Sequence, residues 1–400
     1  MARVSATVGT QGRTTGPIAW WVGASVVLVA LNLRPAVVGV GPLLAQIRAD
    51  EALTATAAGV LTALPVLCFG ALAPVAPRLA RRIGIERALL AAMLVLALGC
   101  VVRALPGAAA LFGGTVLIGA AIASGNVLMP ALVKRDFAHR TGMMTAAYSA
   151  SISVGGALGA ALTAPLADGL GLGWRAALGA WALWALVAAL CWLPQLRRVA
   201  RPPASAAPVT ALRRSAIAWQ VTAYMGLQSL GFYATTSWLP AVFTDRGYPP
   251  ATAGVLVATM TLTGIAGGMA APVLAARSRN QQWVAVVITV TTGLGLGGVL
   301  VPGVELAACV VLGIGQGAAL GLALILMTVR APDSAHAAQL SGMAQCLGYM
   351  LAATGPFAVG ALHDLTGGWT VPLVVLLVLL VPQTIVGVLA GRDKLVTAGM

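Results

Sequence analysis

Long apolar runs fill most of this 400-residue chain, and short polar segments separate each run from the next. Each run holds about 20 residues, the length that a helix needs to cross a bilayer. Lipid cannot satisfy the edge of an open sheet, so we expect helices throughout. The pattern predicts an all-α membrane protein with twelve transmembrane helices, at residues 17–47, 53–76, 88–105, 108–133, 142–167, 174–195, 217–244, 250–276, 283–302, 305–329, 337–362 and 370–391.

The composition agrees with a chain that lies mostly in lipid. Hydrophobic residues make up 59% of it and charged residues 8%, whereas a soluble domain carries about 25% charged residues. Five cysteines stand singly inside apolar runs: Cys68, Cys100, Cys191, Cys309 and Cys346. Their spacing matches neither a metal site nor a redox pair, so we expect packing roles, no metal and no cofactor.

The basic residues are distributed unevenly across the predicted membrane. Of the 24 Lys and Arg residues, 19 fall at the termini and in the loops on the same side. Four others (Arg48, Arg103, Arg175 and Arg246) map to the opposite side, and Arg34 lies within a span. Basic loops favour the cytoplasm, which predicts a multi-pass protein of a bacterial inner membrane with both termini cytoplasmic. The same distribution explains the net charge of +14 without a nucleic-acid partner.

The chain repeats itself at an offset of about 195 residues. Residues 58–61 recur at 253–256, and Asp168 followed by Gly173 and Trp174 is matched by Asp364 followed by Gly368 and Trp369. This order predicts two six-helix bundles related by pseudo-two-fold symmetry, with a solute site between them near the midplane. The predicted divisions are an N-terminal bundle at 1–195, a basic cytoplasmic linker at 196–215 and a C-terminal bundle at 216–400.

Arg34 is the most informative polar residue, because the predicted helix places it about 20 Å from the nearer membrane surface at 1.5 Å per residue. A guanidinium facing lipid at that depth is costly, so it should face a wet cavity or a partner. All ten acidic residues map to loops or helix ends. Arg34 is therefore predicted to bind an anion. The alternative is a structural arginine satisfied by helix carbonyls and amides.

Other polar residues inside the predicted spans could orient a small solute beside that charge. The candidates are Asn32, Asn126, Tyr148, Gln228, Tyr233, Gln316, Gln345 and Tyr349. Each of them could instead make a hydrogen bond between helices. Trp238 and Trp369 lie near predicted helix ends, where tryptophan commonly anchors a helix at the membrane interface.

Several segments resemble the cyanate/2-nitroimidazole transporter (CynX/NimT-like) family of the major facilitator superfamily. They are the segments at 31–35, 125–130, 133–137, 225–229, 315–317, 341–345 and 363–364, and they span both halves. The resemblance implies the major facilitator fold and secondary transport of a small solute. The loop between helices 2 and 3 departs from the superfamily pattern, since Arg81 stands where an Asp is usual, while Arg82 and Gly84 keep their places. These three residues are the gating candidates.

The leading hypothesis is a secondary transporter of a small solute, expected to be an anion that binds Arg34. An exporter of small neutral or cationic drugs, such as nitroimidazoles, is the alternative. An enzyme is disfavoured because no reactive cluster is visible, and a pump is disfavoured because no phosphate-binding loop is present. The expected partners are a small-molecule solute and the lipid bilayer, and the chain is expected to be a monomer.

Overall fold

The computed structural model describes residues 17–137, 141–197, 212, 214–277, 280–332 and 334–396. This part of the chain is helical and contains no strand. The α-helices are α1 (Pro17–Asn32), α2 (Pro35–Val38), α3 (Leu44–Asp50), α4 (Ala55–Leu72), α5 (Val75–Ile83), α6 (Ile85–Arg103), α7 (Ala108–Asp136), α8 (Thr141–Ala164), α9 (Gly173–Gly179), α10 (Trp181–Trp192), α11 (Ala216–Asp245), α12 (Pro250–Ala276), α13 (Gln282–Val299), α14 (Glu305–Val329), α15 (Ser334–Thr366) and α16 (Thr370–Ala390).

Eleven segments of the described residues are long and apolar enough to cross a membrane. The twelfth predicted span corresponds to α11, whose 30 residues also exceed the thickness of a bilayer. Polar side chains such as Gln228, Ser229 and Thr235 reduce the hydropathy of α11, and all three are buried inside the protein. The multi-pass helical membrane fold is therefore confirmed. We call the side where α1 begins and α16 ends the terminal side, and the other the opposite side.

The first predicted span is not one continuous helix, so the prediction of a single helix at 17–47 was wrong. Helix α1 ends at Asn32, α2 spans only four residues, and a 3-10 turn at Gly41–Leu43 leads into α3. Pro35 and Pro42 each lack a backbone N–H, and proline disfavours the helical conformation of the residue before it. Accordingly Arg34 has φ −130° and ψ −34°, outside the helical range.

Other helix ends shift by a few residues, as side-chain patterns alone allow. The predicted second span stops at Leu72, and a separate short helix, α5, follows Pro74. Helix α15 extends to Thr366, four residues beyond the prediction. The predicted linker at 196–215 lies largely outside the described residues, so the boundary between the two bundles stays a prediction.

The internal repeat is visible in matched hydrogen bonds. The Trp174 indole donates to the Asp50 carboxylate at 2.7 Å, and the Trp369 indole donates to Asp245 at 2.6 Å. Both partners of the second pair lie 195 positions after those of the first. The interfacial role expected for Trp238 was wrong, because this indole is 2% exposed and donates to the Pro356 carbonyl at 2.8 Å.

The two halves meet tightly on the opposite side. Asp364 at the end of α15 accepts hydrogen bonds from the backbone N–H groups of Ala55 and Thr56, at 3.0 and 2.6 Å, where α4 begins. Glycines allow the helices to approach closely, since a Cβ on Gly59 would lie 2.6 Å from the Pro356 carbonyl oxygen. Gly254 in the same way faces the Ala160 carbonyl across α12 and α8. The core continues from one half into the other through these contacts.

Candidate functional site

Arg34 lies at the break in the first span, between α1 and α2. Its backbone carbonyl accepts hydrogen bonds from Val37 and Val38, each at 3.0 Å, so Arg34 starts the short helix α2. Its guanidinium carbon lies 5.1 Å from the centre of the Phe232 ring and 5.4 Å from that of Tyr233. Both distances are in the range of a cation–π interaction. A charge from the first half thus rests against rings from the second.

Four aromatic rings from three helices form what we call the aromatic cluster: Phe69 of α4, Phe232 and Tyr233 of α11, and Tyr349 of α15. The ring centres are 5.3 to 6.3 Å apart, and three of the four recorded pairs are edge-on. Such tilted packing is the favoured arrangement of aromatic rings. Arg34 also interacts electrostatically with the phenols of Tyr148, Tyr233 and Tyr349. The structure therefore brings four predicted site residues together.

The sequence did not reveal Phe69 and Phe232 as site residues. Each is an aromatic residue in an apolar run, and such residues more often pack in a core. Tyr233 and Tyr349 are candidates because their hydroxyl groups could orient a solute. A useful signal was the position of Phe232 directly before Tyr233, which places two rings side by side on α11.

Arg34 forms no ion pair with any residue that the structure describes. The buried carboxylates Glu86 and Glu305 stand in the first turns of α6 and α14, far along the chain from the break. Glu86 pairs with Arg135 at 2.6 Å and Glu305 with Arg246 at 3.5 Å. Every described acid lies in a loop or at a helix end, as expected. The binding role of Arg34 stays a prediction.

Several predicted polar residues have donors engaged elsewhere. The Asn32 amide is 3% exposed and donates to the Leu28 carbonyl at 2.8 Å, within its own helix. Gln345 donates to Ser341 at 2.9 Å, one turn earlier on α15. Asn126 is half-buried on α7, directly after Gly125, against which Leu33 packs. The hydrogen bonds of Asn32 and Gln345 thus lie within their own helices and not at the aromatic cluster.

Gln228 and Gln316 belong to a different part of the molecule. The Gln316 amide donates to Thr235 at 3.0 Å, and Gln228 donates to Ser229 at 2.7 Å. Together with Thr292 and Gln383, they line a cavity of about 20 Å³ enclosed by second-half helices. That space suits about one water molecule. Their role in solute binding stays a prediction.

The gating candidates lie on the terminal side. Arg81 and Arg82 are exposed in the last turn of α5, and Gly84 joins α5 to α6 with φ +92°, a conformation that favours glycine. The ion pair of this region instead involves Arg135, which donates to both Glu86 and Asp136 at 2.6 Å. The gating role of Arg81, Arg82 and Gly84 stays a prediction.

Comparisons with known proteins agree with this architecture. The family model of the Major Facilitator Superfamily matches residues 26–356. The chain is 40% identical over 375 residues to the 2-nitroimidazole transporter of Escherichia coli, covering 93% of this chain and 95% of that one. It is 32% identical over 347 residues to the cyanate transport protein CynX of Escherichia coli, covering 86% and 90%. A bacterial homologue of the lysosomal transporter Spinster, solved in an inward-facing and unoccupied conformation, superposes with a TM-score of 0.78 at 14% identity, covering 95% and 98%.

Proposed function

The chain belongs to the major facilitator superfamily. We propose that it carries a small planar anion between the two halves. It is a secondary transporter rather than an enzyme, and its partners are a small solute and the bilayer. In the proposal, Arg34 is the group that binds the anion, and the aromatic cluster holds the flat faces of the solute.

The observation that carries the proposal is the setting of Arg34. A guanidinium with no ion pair among the described residues can form charge-assisted hydrogen bonds to a solute, which are about twice as strong as neutral ones. Rings on both sides of the boundary between the halves reject compact hydrated ions and favour a flat solute. One relative is named for cyanate, a small anion, and this supports an anionic solute here.

A second candidate is a neutral nitro-substituted heteroaromatic, because a relative is named for 2-nitroimidazole. The specific observation that favours it is the aromatic cluster, which can stack on such a ring without any net charge. Arg34 would then donate to the nitro oxygens. The two candidates differ in how strongly transport should depend on the charge of residue 34.

Alternating access supplies the proposed mechanism. The contacts that join the halves on the opposite side, including Asp364 with the start of α4, would separate when the solute site opens toward that side. The excess of Lys and Arg on the terminal side supports a cytoplasmic location for both termini. In this orientation, the site at the break in the first span is reached from either side in turn.

The test compares Arg34→Met with Arg34→Lys in proteoliposomes that are given cyanate, benzoate or 2-nitroimidazole. For an anionic solute, we expect Arg34→Met to reduce uptake about a hundredfold and Arg34→Lys to retain part of it, since lysine keeps the charge. Arg277→Met is the matched control, because Arg277 is exposed at the end of α12. Monodisperse protein with an unchanged unfolding temperature shows that the variants fold. Equal uptake of every solute by wild type and Arg34→Met would refute the anion site.

A further inference from the structure

Arg103 is a second buried arginine of the first half. It is the last residue of α6 and only 1% exposed, although its place near a helix end suggested a loop on the opposite side. Its Nη1 donates to the Ala36 carbonyl oxygen at 2.6 Å. The other guanidinium nitrogens, Nε and Nη2, have no hydrogen-bond partner among the described residues. The side chain thus makes one strong contact, and that contact is with α2.

The Ala36 carbonyl is available because the first span is broken. In a regular helix, the N–H four residues later, that of Val40, would donate to it. Here the Val40 N–H donates to Val37 at 3.4 Å, and the Gly39 N–H donates to Pro35 at 2.8 Å. A buried carbonyl without a donor costs about 1–3 kcal/mol. Arg103 replaces the donor that the break removes.

Two other elements contact the segment between Arg34 and Gly41. A Cβ on Gly159 of α8 would lie 2.7 Å from the Pro35 Cα, so α8 packs directly on the backbone. The second contact is the hydrogen bond from Arg103, whose own backbone packs closely on α7, since a Cβ on Gly114 would lie 2.4 Å from the Arg103 nitrogen. The backbone of the segment is therefore contacted by both a glycine and a guanidinium.

Stability alone does not account for a charge at this position. A buried arginine with one acceptor is usually no more stabilising than a well-packed hydrophobic residue of the same volume. The hydrogen bond is made two residues from Arg34, to the short helix that Arg34 starts. What the guanidinium supplies beyond packing is a fixed position for that helix.

We infer that Arg103 is a positioning residue, which holds the broken segment so that the Arg34 guanidinium faces the aromatic cluster. The inference rests on the proposed function, because it assigns Arg103 an effect on the affinity for anions through Arg34. Small displacements of a binding group are costly when the geometry is fixed. Loss of the hydrogen bond should therefore weaken anion binding more than it weakens binding of a neutral solute.

The experiment uses the full-length protein with two probes of the same shape, benzoate and neutral benzamide. Isothermal titration gives both affinities, and hydrogen exchange measures protection of the amides at 36–41. We expect Arg103→Met to weaken benzoate binding about tenfold, to change benzamide binding less than about twofold, and to increase exchange at 36–41. Arg103→Lys, which keeps a donor and a charge, should restore most of the affinity and the protection.

The outcomes separate the two proposals. If wild type does not prefer benzoate, or Arg34→Met leaves that preference unchanged, the anion site itself is wrong and the role of Arg103 falls with it. If Arg34 sets the preference and Arg103→Met alters both probes equally, or alters benzoate without faster exchange at 36–41, only the positioning role is wrong. A lower unfolding temperature in Arg103→Met with unchanged affinities would reduce Arg103 to a packing residue.

Discussion

The first and seventh spans are the two copies of one repeat, yet one is broken and the other is continuous. Helix α11 runs without interruption from Ala216 to Asp245, whereas the first span is divided at Arg34. At the offset of 195 positions, Leu230 stands in place of Pro35 and Ser237 in place of Pro42.

A glycine from the neighbouring helix contacts each copy at the same matched position. Gly159 of α8 lies against the Pro35 backbone, and Gly355 of α15 lies against the Leu230 carbonyl. At these matched positions the copies differ in the proline and in its effect on the backbone. The broken copy contributes a charge, and the continuous copy contributes two rings, Phe232 and Tyr233, for it to face. The two copies of the repeat thus place unlike groups against each other at the candidate site.

The largest effect should come from breaking the continuous copy. Proline at 230 removes an N–H from the middle of α11 and its ring clashes with the preceding turn, which costs about 3 kcal/mol or more. We expect Leu230→Pro to yield aggregated protein in size-exclusion chromatography. Leu230→Ala is the control, since it removes the same side chain and keeps the N–H. Folded, active Leu230→Pro protein would show that α11 tolerates the break seen in the first span.

The reverse change should affect transport more than folding. Pro35→Ala restores an N–H and lets the first span continue as a helix, which would turn the Arg34 side chain away from Phe232. We expect uptake of benzoate to fall about tenfold, with a change in stability below about 1 kcal/mol. Pro74→Ala, at the exposed start of α5, should leave uptake unchanged. Uptake by Pro35→Ala at the wild-type rate would show that transport does not depend on the break in the first span.

The sequence predicts the number and type of spans better than it predicts the contacts of single side chains. Apolar runs and the charge bias are summed over many residues, so twelve spans and an all-helical fold could be read from composition and periodicity. Arg34 could be singled out because a charge in lipid is costly. The break itself was missed, although Pro35 and Pro42 signalled it, because apolar residues continue across both prolines without a polar gap.

Long-range contacts were the part that no local pattern could supply. Phe69 and Tyr349 are distant in sequence, and their rings meet only because α4 packs against α15 across the two halves. The Arg103 guanidinium is buried because α6 ends beside the broken segment. Trp238 looked interfacial from its distance along the helix, but its side chain faces Pro356 rather than lipid. The direction in which each side chain points around its helix, rather than its depth along the helix axis, determines which residues it contacts.

A smaller effect should come from exchanging a second pair of matched positions. Glu86 pairs with Arg135 in the first half, and Gln281 accepts from Arg330 at the positions 195 later. Arg330 is 2% exposed, and burial lowers the pKa of its guanidinium although Asp393 at 3.6 Å opposes that shift. We expect Gln281→Glu to raise stability by about 1 kcal/mol and Glu86→Gln to lower it by about 1–2 kcal/mol. The unfolding temperatures in detergent measure both changes.

The matched design makes that result interpretable. Asp136 remains beside Arg135 in Glu86→Gln, at 2.6 Å, so the loss should stay modest. Solute affinity should be unchanged in both variants, because Glu86 stands in the first turn of α6 and Gln281 directly before α13, whereas the aromatic cluster lies on α4, α11 and α15. Stabilisation of both variants, or of neither, would mean that the charges at the two copies do not act independently.

The smallest effect should distinguish two carboxylates, Asp168 in the turn that follows α8 and Asp364 near the end of α15. Asp364 accepts from Ala55 and Thr56 across the halves, whereas Asp168 accepts one exposed hydrogen bond from Gln46 within its own half, at 2.9 Å. A carboxylate at a helix N-terminus contributes about 0.5–1 kcal/mol, and an exposed side-chain hydrogen bond contributes less. Asp364→Asn should therefore lower the unfolding temperature by a few degrees, and Asp168→Asn should not. With cysteines placed at 56 and 364, the disulfide should form while the opposite side is closed, and a soluble thiol reagent should modify the two cysteines while that side is open. Added solute should therefore shift the ratio of disulfide to modified protein. Equal thermal shifts for the two Asn variants would mean that the contact at Asp364 does not hold the halves together, despite its three hydrogen bonds.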